Sequence, residues 1–493
     1  MNGDGEPVAP SRDDEVLRSA TPVLGGPLGD HAGHHRWWGP VRVVLLLTML
    51  ACALGMVQKA PCYDTGWNDP QLRYTHMCYS DLPYLYTGRG FAEGNWPYTA
   101  DEQVRARYPQ VMEYPPLISY WAWGTAEITL WITGAEVEER YADPTAVVFS
   151  RSDVQHEQLV FVAVNAVGFA LLALLAAWLL AGAQPRRPWD AAAFAALPAL
   201  ALSGLVNWDL LAVTLVAGAL WAWHRDRPVL LGILLGLGAA AKLYPLLLLG
   251  PVLVLMWSRR QWMSSALVTV FAALAWLVAN APAYLSSAQA WRAFWTFNSE
   301  RGADLGSLWL VWQQVTDDTI APHTINVWSW VFLLGWCALV AGLGFAAPTP
   351  PRLAQLGLLV VVGFLLVNKV YSPQYVLWLL PLAVLARPRW RDLLIWQLGE
   401  VLYFAGVWWY LAGELTASGG DAGAYWILTV VRVLAQLWLV AVVVRDVLSP
   451  RHDPVDRTLP WERRDVSGDE DPVDVGGGEP HSHVDLVADR RHP

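Results

Sequence analysis

Charged residues are scarce in this 493-residue chain, where Asp, Glu, Lys and Arg make up 15% of the sequence. A typical soluble protein carries roughly 25%. The shortage excludes an ordinary soluble globular protein, and long blocks within the 55% of hydrophobic residues indicate a membrane protein. The net charge of −10 argues against a nucleic-acid partner, which would require a basic face. Four cysteines in this length exclude a scaffold built on disulfides.

Metal-ligand spacings and glycine-rich phosphate loops are also missing from the apolar blocks and the stretches between them. Short spacings of the metal type, His31 with His35 and Asp469 with Asp471, fall only in the polar tails. We therefore expect a mechanism without a metal or another cofactor. The tails at 1–40 and 449–493 lack apolar periodicity, and we expect both to be disordered and cytoplasmic.

Long apolar blocks predict the fold class, an all-α polytopic membrane protein with about 12 transmembrane helices. The blocks lie near 41–57, 158–182, 190–207, 209–223, 229–242, 244–258, 261–281, 324–346, 353–368, 373–387, 393–412 and 425–446. The first block follows a polar head without a small-residue cleavage signature, so we interpret it as an anchor.

Short arginine turns predict the orientation, because cytoplasmic loops are enriched in positive charge. With the N-terminus inside, the cytoplasmic turns contain Arg186-Arg187, Arg225 with Arg227, Arg259-Arg260, and Arg387 with Arg389 and Arg391. The apolar stretch from Pro115 to Thr133 would break this pattern by crossing, so we expect it to lie as a helix at the outer surface. The resulting organisation is a core at 41–281 with a large outer loop at 59–157, a second outer loop at 282–323, and C-terminal transmembrane helices at 324–448.

Lysine is nearly absent, and its three copies, Lys59, Lys242 and Lys369, all fall on the expected outer side. Two of them stand in matching settings, Lys242-Leu-Tyr244-Pro245 and Lys369-Val-Tyr371-Ser372-Pro373. Each lysine precedes a proline that can start a span, and free N–H groups beside an ammonium favour a phosphate site. The alternative is a lysine that anchors the chain at the lipid headgroups.

The first outer loop is far longer than a connection requires, and it is rich in aromatic and polar residues. Cys62 and Cys78 lie in it on the oxidising side, and the sequence leaves a disulfide between them open. Asp81-Leu-Pro-Tyr84-Leu-Tyr86 alternates polar and aromatic residues, which suits a helix at the headgroup layer. Aromatic loops of this kind also occur as plain interfacial belts.

Four short motifs occur in an order that resembles the GT-C superfamily of membrane glycosyltransferases, and most closely its family 87. They are the Asp81 segment, Tyr114-Pro115-Pro116, Lys242-Leu-Tyr244-Pro245 and Tyr371-Ser372-Pro373-Gln374-Tyr375. The resemblance covers about residues 40–390. It implies a GT-C-like fold and a mannosyltransferase of the actinobacterial cell envelope. Such an enzyme would move mannose from a polyprenyl-phosphate donor to a lipid-linked or cell-wall glycan acceptor on the outer face of the cell membrane.

Specific roles follow for the residues that match this pattern. The resemblance implies that Asp81 is the general base that takes the acceptor proton. Donor-phosphate binding is assigned to Lys242, Lys369, Arg301, Tyr244, Tyr371 and Gln374, and acceptor or sugar positioning to Glu113, Tyr114, Tyr84 and Trp96. Gln374 departs from the family, where we expect histidine before the tyrosine, because an amide can donate hydrogen bonds but cannot carry charge.

Two other functions stay open at this point. A carrier that flips a lipid-linked sugar would bury its substrate groups near mid-membrane, in interrupted helices. An inactive relative that only binds polyprenyl lipids is compatible with Gln374. Asp209, at an expected outer turn, either lines the cavity or caps a span. The intramembrane pair Glu400 and Arg432 is most simply explained by mutual pairing.

Overall fold

The computed structural model describes residues 37–109, 112–416 and 422–455, and all regular secondary structure in them is helical. The twenty-one α-helices are α1 Pro40–Asp64, α2 Leu72–Thr75, α3 Leu82–Gly88, α4 Glu102–Arg107, α5 Pro116–Thr133, α6 Thr145–Ser150, α7 Ser152–Ala183, α8 Ala192–Ala196, α9 Pro198–Ser203, α10 Asp209–His224, α11 Pro228–Ala241, α12 Tyr244–Leu247, α13 Leu249–Ser258, α14 Trp262–Ser286, α15 Ala288–Glu300, α16 Leu308–Thr316, α17 Pro322–Ala346, α18 Leu353–Val367, α19 Val376–Ala386, α20 Trp390–Leu411 and α21 Gly423–Leu448. Short 3₁₀ turns lie at Phe91–Glu93, Glu138–Ala142, Pro188–Ala191, Pro373–Tyr375 and Pro450–His452.

Among the described residues, five helices are long and apolar enough to cross a membrane, namely α1, α7, α14, α17 and α21. Shorter apolar helices cover Asp209–His224, Pro228–Ala241, Tyr244–Ser258, Leu353–Val367 and Pro373–Ala386. The described part of the chain is therefore all-helical and of the membrane type, while the count of about twelve spans stays a prediction.

The expected span near 190–207 is interrupted in the structure. α8 ends at Ala196, Leu197 adopts an extended conformation, and α9 starts at Pro198 and ends after six residues. The break follows from Pro198, because a proline ring disfavours helical geometry in the residue before it. The turn that follows, residues 204–208, carries Asn207 and leads into α10.

The segment expected to form the first outer loop contains five short or medium helices, α2 to α6. A disulfide joins Cys62, near the end of α1, to Cys78 just before α3. The longest of these helices, α5, starts with Pro116 at its first position and ends at Gly134 in the left-handed conformation. The Tyr120 hydroxyl on α5 bonds the backbone of Ala279 and Ala283 on α14, so this helix packs against the core.

Four helices packed near one another, α10, α11, α18 and α19, have an arginine at one end and a candidate site residue at the other. The pairs are Arg225 and Asp209, Arg227 and Lys242, Arg352 and Lys369, and Arg387 and Gln374. The 15 residues of α18 separate its two ends by about 22 Å, at about 1.5 Å per residue. The arginines that the sequence assigned to the inner side, Arg225, Arg227 and Arg387, therefore lie at the opposite helix ends from Asp209, Lys242 and Gln374.

The helix ends that carry Arg225, Arg227, Arg352 and Arg387, here called the arginine end, are contacted by the start of the C-terminal segment. Arg387 is fully buried and pairs with Asp392 and Asp446, and it donates to the carbonyl of His452. Arg352 pairs with Asp453. The expected disordered tail at 449–493 thus begins with an ordered part, because buried guanidinium groups need acceptors. Residues 1–36 and 456–493, with the His31 and Asp469 pairs, lie outside the described residues.

Candidate active site

One cavity of about 400 Å³ lies at the helix ends opposite those arginines. Its polar and aromatic lining comes from the first loop, the turn before α10, the end of α11, α15 and the start of α19. The lining residues include Asp81, Glu113, Tyr114, Asn207, Lys242, Tyr244, Phe294, Phe297, Arg301, Lys369, Gln374, Tyr375 and Trp378. Eight of these were predicted as site residues from the sequence.

Asp81 immediately precedes α3, and its backbone is anchored to the turn before α10. The Asp81 N–H donates to the Val206 carbonyl at 2.9 Å, and the neighbouring Ser80 hydroxyl donates to the Leu205 carbonyl at 2.8 Å. The Asp81 side chain makes no capping hydrogen bond to α3. The carboxylate is therefore free to face the cavity.

Two neutral side chains hold the Asp81 carboxylate. The Asn207 amide donates to it at 2.6 Å, and Tyr79 makes a second side-chain hydrogen bond. Burial raises the pKa of Asp81 above its usual range, and the hydrogen bonds from Asn207 and Tyr79 oppose that rise. Among more distant charges, Glu113 raises the pKa of Asp81 and Lys242 lowers it.

Asn207 is the main residue of the site that sequence reasoning did not assign. Its amide also donates to the Tyr114 hydroxyl at 2.8 Å, so it aligns a carboxylate and a phenol from two parts of the first loop. Its only signal in the sequence is a polar residue at a turn. Asp209, which the sequence left open, is fully buried behind it and accepts a 2.6 Å hydrogen bond from Trp378.

Lys242 follows the last residue of α11 and reaches into the cavity. Its ammonium lies 3.5 Å from the Asp209 carboxylate and 4.8 Å from the centre of the Tyr114 ring. The ammonium is thus held by one carboxylate and one aromatic face, which leaves donor capacity for a ligand.

A stack of three aromatic rings forms one wall of the cavity. Trp378 packs between Tyr244, at 4.5 Å between ring centroids, and Tyr375, at 3.9 Å. The Tyr244 hydroxyl is buried and has no hydrogen-bond partner among the described residues. A buried hydroxyl of this kind is costly unless something bonds it, so it is a natural contact for a polar ligand.

Arg301 and Lys369 line the cavity from the expected second outer loop and the segment before α19. The Arg301 guanidinium pairs with Asp304. The Lys369 ammonium donates to the carbonyls of Asn298, Ser299 and Arg301 at 2.7, 3.3 and 2.9 Å, around the C-terminus of α15. Partial burial, with a contribution from Arg301, lowers the pKa of Lys369. A ligand would have to compete with these carbonyls for the ammonium.

Glu113 and Gln374 complete the polar lining. Glu113 forms an ion pair with Arg89 inside the first loop, so its carboxylate is already engaged. Gln374 lies in the 3₁₀ turn that leads into α19 and is nearly buried. Gln374 is neutral, and the charge of Glu113 is balanced by Arg89. The charge of Lys242 is balanced less closely, by Asp209 at 3.5 Å.

Three predicted site residues lie away from the cavity lining. The Tyr84 hydroxyl donates to the Trp67 carbonyl, and Trp96 stacks on Tyr120. Tyr371 donates to Glu400 at 2.9 Å, and the Arg432 guanidinium lies 3.5 Å from its ring centre. Tyr371 therefore stands between Glu400 and Arg432, where we expected a direct ion pair.

Comparison with known proteins identifies the segment that supplies much of this site. A family model described as glycosyltransferase family 87 matches residues 141–368, a little under half of the chain. The matched segment contains Asn207, Lys242, Tyr244 and Arg301, while Asp81 precedes it. No curated protein matches the chain. The resemblance inferred from the short motifs is confirmed.

Proposed function

We propose that this membrane glycosyltransferase, a member of glycosyltransferase family 87, transfers a sugar from a polyprenyl-phosphate donor to a glycan hydroxyl outside the membrane. Mannose is the expected sugar, and a lipid-linked or cell-wall glycan is the expected acceptor. The observation that carries the proposal is that one cavity is lined by a carboxylate with neutral partners, Asp81, and by three cationic side chains. The cations are those of Lys242, Arg301 and Lys369.

The proposed chemistry is a single displacement at the anomeric carbon. The acceptor oxygen attacks that carbon while its proton passes to the Asp81 carboxylate. The bond between the anomeric carbon and the phosphate oxygen breaks, and its electron pair leaves with the polyprenyl phosphate. Cationic groups that face the leaving phosphate stabilise the charge that develops on it.

The surroundings of Asp81 suit a base. Its raised pKa brings the carboxylate closer to neutral pH than an ordinary aspartate, which favours proton transfer from a hydroxyl. The Asn207 hydrogen bond still favours the charged form, which is the form that accepts the proton. Asn207 thereby keeps the carboxylate both oriented and ionisable.

Lys242 is the proposed main partner of the leaving phosphate. Its ammonium makes one loose ion pair at 3.5 Å, whereas the Lys369 ammonium donates to three carbonyls. The unpartnered Tyr244 hydroxyl follows two residues later and can donate to the same phosphate. The ring stack behind it offers an apolar face to the first part of the donor chain or to the sugar.

A transfer assay with purified full-length protein in detergent tests this function. The substrates are polyprenyl-phosphate-mannose, its glucose and arabinofuranose counterparts, and a glycolipid extract from cell envelopes as acceptor. We expect radiolabelled sugar to appear in the acceptor fraction. Asp81→Asn should lower the rate by about 10²- to 10⁴-fold, the usual contribution of a general base.

The matched control is Asp101→Asn, the same substitution at an exposed position of the first loop. Asp101 caps α4 through the N–H groups of Gln103 and Val104, and asparagine caps equally well. This variant should keep full activity. Full activity in Asp81→Asn would overturn the assignment of the base. Lipid movement in sealed vesicles without any transfer would instead favour the carrier.

A further inference from the structure

The loop after α15 and the segment before α19 are joined into one unit by their backbones. The Asp304 N–H donates to the Lys369 carbonyl, and the Tyr371 N–H donates to the Leu305 carbonyl, both at 2.8 Å. Lys369 also grips the end of α15 through its ammonium. Arg301 and Lys369 therefore belong to one hydrogen-bonded unit, although they are distant in sequence.

Gly306 connects this unit to helix α21 through two hydrogen bonds. Its N–H donates to the Tyr425 hydroxyl at 2.7 Å, and its carbonyl accepts from Arg432 at 2.9 Å. Its φ of +72° is left-handed, a conformation that favours glycine. A Cβ at this position would lie 2.1 Å from the Tyr403 hydroxyl and 2.5 Å from the Tyr371 carbonyl. The position admits no side chain without a shift of the backbone.

Gly306 is held by two buried polar residues of α21, and the adjoining Tyr371 is held by one of α20. The Tyr403 hydroxyl donates to the Tyr371 carbonyl at 2.6 Å. Arg432 is 1% exposed, and its guanidinium lies over the Tyr371 ring. Burying a guanidinium and several hydroxyl groups between apolar helices is costly, and polar residues in such places commonly serve a function. None of Tyr403, Tyr425 and Arg432 is a lining residue of the cavity.

We propose that Gly306, Tyr403, Tyr425 and Arg432, here called the clamp, are positioning residues for the two cationic groups Arg301 and Lys369. The clamp fixes the unit that carries both groups and so sets their place relative to Lys242 and Asp81. The identity of the ligand, a sugar-linked phosphate, rests on the proposed function. The position of the unit rests on the hydrogen bonds described above and is independent of that function.

Selective labelling of Lys369 tests the clamp without any assay of activity. The chain has only three lysines, and Lys59 and Lys242 are buried, so an amine-acylating reagent reports chiefly on Lys369. In full-length detergent-purified protein, Gly306→Ala should raise the labelling rate of Lys369 about fivefold or more, because local opening frees the ammonium from its carbonyls. Peptide mass spectrometry measures the rate.

The matched control is Gly302→Ala in the same loop. No atom lies within 4 Å of a Cβ built at Gly302, and its φ is not left-handed, so this alanine should leave Lys369 labelling unchanged. Arg432→Gln should raise the labelling as Gly306→Ala does. Arg432→Lys should partly restore the wild-type rate, since an ammonium can still donate to the Gly306 carbonyl.

Donor kinetics supply the second readout. A displacement of the cationic unit by about 1 Å should cost about 100-fold in kcat/KM for the donor. The loss should appear in kcat as well as in a higher donor KM, because these groups would both bind the phosphate and stabilise its developing charge. The acid limb of the pH profile should stay in place because Asp81 lies outside the clamp. A loss with normal Lys369 labelling would overturn the positioning role.

The two proposals fail separately. If the wild-type protein transfers no sugar, the proposed function is wrong, and Lys369 labelling alone decides the clamp. If Gly306→Ala does not fold, Tyr403→Phe removes only the hydrogen bond to the Tyr371 carbonyl and serves instead. Faster labelling in that variant supports the clamp, and wild-type labelling in both Tyr403→Phe and Arg432→Gln overturns it.

Discussion

Charged residues at the two ends of the same helices, Arg387 at one end and Asp81 and Lys242 at the other, differ in how closely they are paired with opposite charges. At the arginine end, Arg387 is fully buried between two carboxylates at 2.9 and 2.5 Å. At the cavity end, Asp81 is held by neutral side chains and Lys242 makes one ion pair at 3.5 Å. Arg387 is held by two close ion pairs, whereas Lys242 has one longer ion pair and keeps donor capacity that a ligand can use. This difference separates a structural end of the molecule from a candidate catalytic end.

Removing the central charge of the arginine end should have the largest effect on stability. Arg387→Gln removes the fully buried cation that Asp392 and Asp446 share and leaves them only the more exposed Arg391 and Arg445, which should cost about 3 kcal/mol. Thermal unfolding in detergent, followed by circular dichroism, measures the loss. A cost below about 1 kcal/mol would show that this end is not held by its ion pairs.

The equivalent change at the cavity end should act on the reaction and not on the fold. The double variant Lys242→Gln with Asp209→Asn removes both charges of the 3.5 Å pair, so no buried charge is left alone. Transfer should fall about 100-fold, the usual loss for one group that stabilises a transition state.

The matched comparison is Asp209→Asn alone, which retains the Lys242 ammonium beside the Tyr114 ring and so separates the loss of the ion pair from the loss of the cation. The amide oxygen of the new asparagine can still accept the hydrogen bond from the Trp378 N–H, so the helix packing should persist. Transfer at the wild-type rate in the double variant, with donor saturating, would contradict the role of Lys242.

The hydrogen bond between Asn207 and Asp81 offers a smaller and more specific test. Burial raises the pKa of Asp81, and the Asn207 amide opposes that rise by stabilising the carboxylate. Asn207→Ala should therefore raise the pKa further and leave less of the base ionised at low pH. The acid limb of the rate profile should move to higher pH.

On that limb the rate should fall about tenfold, as expected when a hydrogen bond worth about 1.5 kcal/mol to a charged group is lost. Above the limb the loss should be smaller. A pH–rate profile of transfer with saturating donor measures the shift of the acid limb and the loss of rate on and above it. An acid limb that stays in place, or moves to lower pH, would contradict the assignment of Asp81 as the base.

The smallest effect should come from an exposed arginine at the structural end. Arg445 pairs with Asp446 but its side chain is 41% exposed, so Arg445→Gln should change stability by less than about 1 kcal/mol. The same unfolding measurement applies. A loss as large as that of Arg387→Gln would show that burial is not what distinguishes the two arginines.

Much of the candidate site was predictable because its residues carry local signals. Asp81, Lys242 and Arg301 stand out as charges in an apolar chain, and the structure brings them to one cavity. Asn207 and Trp378 were not predicted, because an amide at a turn and a ring in an apolar helix are common features. Their roles arise only from their neighbours across the fold.

Local patterns did not fix every placement. Tyr371 belongs to a motif that contributes to the cavity, yet its ring turns toward α20 and α21, where Glu400 accepts its hydroxyl hydrogen bond. Hydropathy predicted an apolar block near 190–207, and Pro198 divides it into two short helices. Hydropathy averaged over a window is hardly changed by one proline, whereas that proline disfavours helical geometry in the residue before it.

The sequence by itself indicated the class of protein, the resemblance to glycosyltransferase family 87 and the separation of arginine from lysine along the helices. Hydropathy and charge act on each segment separately, so they can be read without contacts. Only the tertiary structure decided which polar groups meet: Asp81 with Asn207, 126 residues apart, and Lys369 with carbonyls about the end of α15. A hydrogen bond depends on distances of a few tenths of an ångström, and the packing of the helices sets those distances.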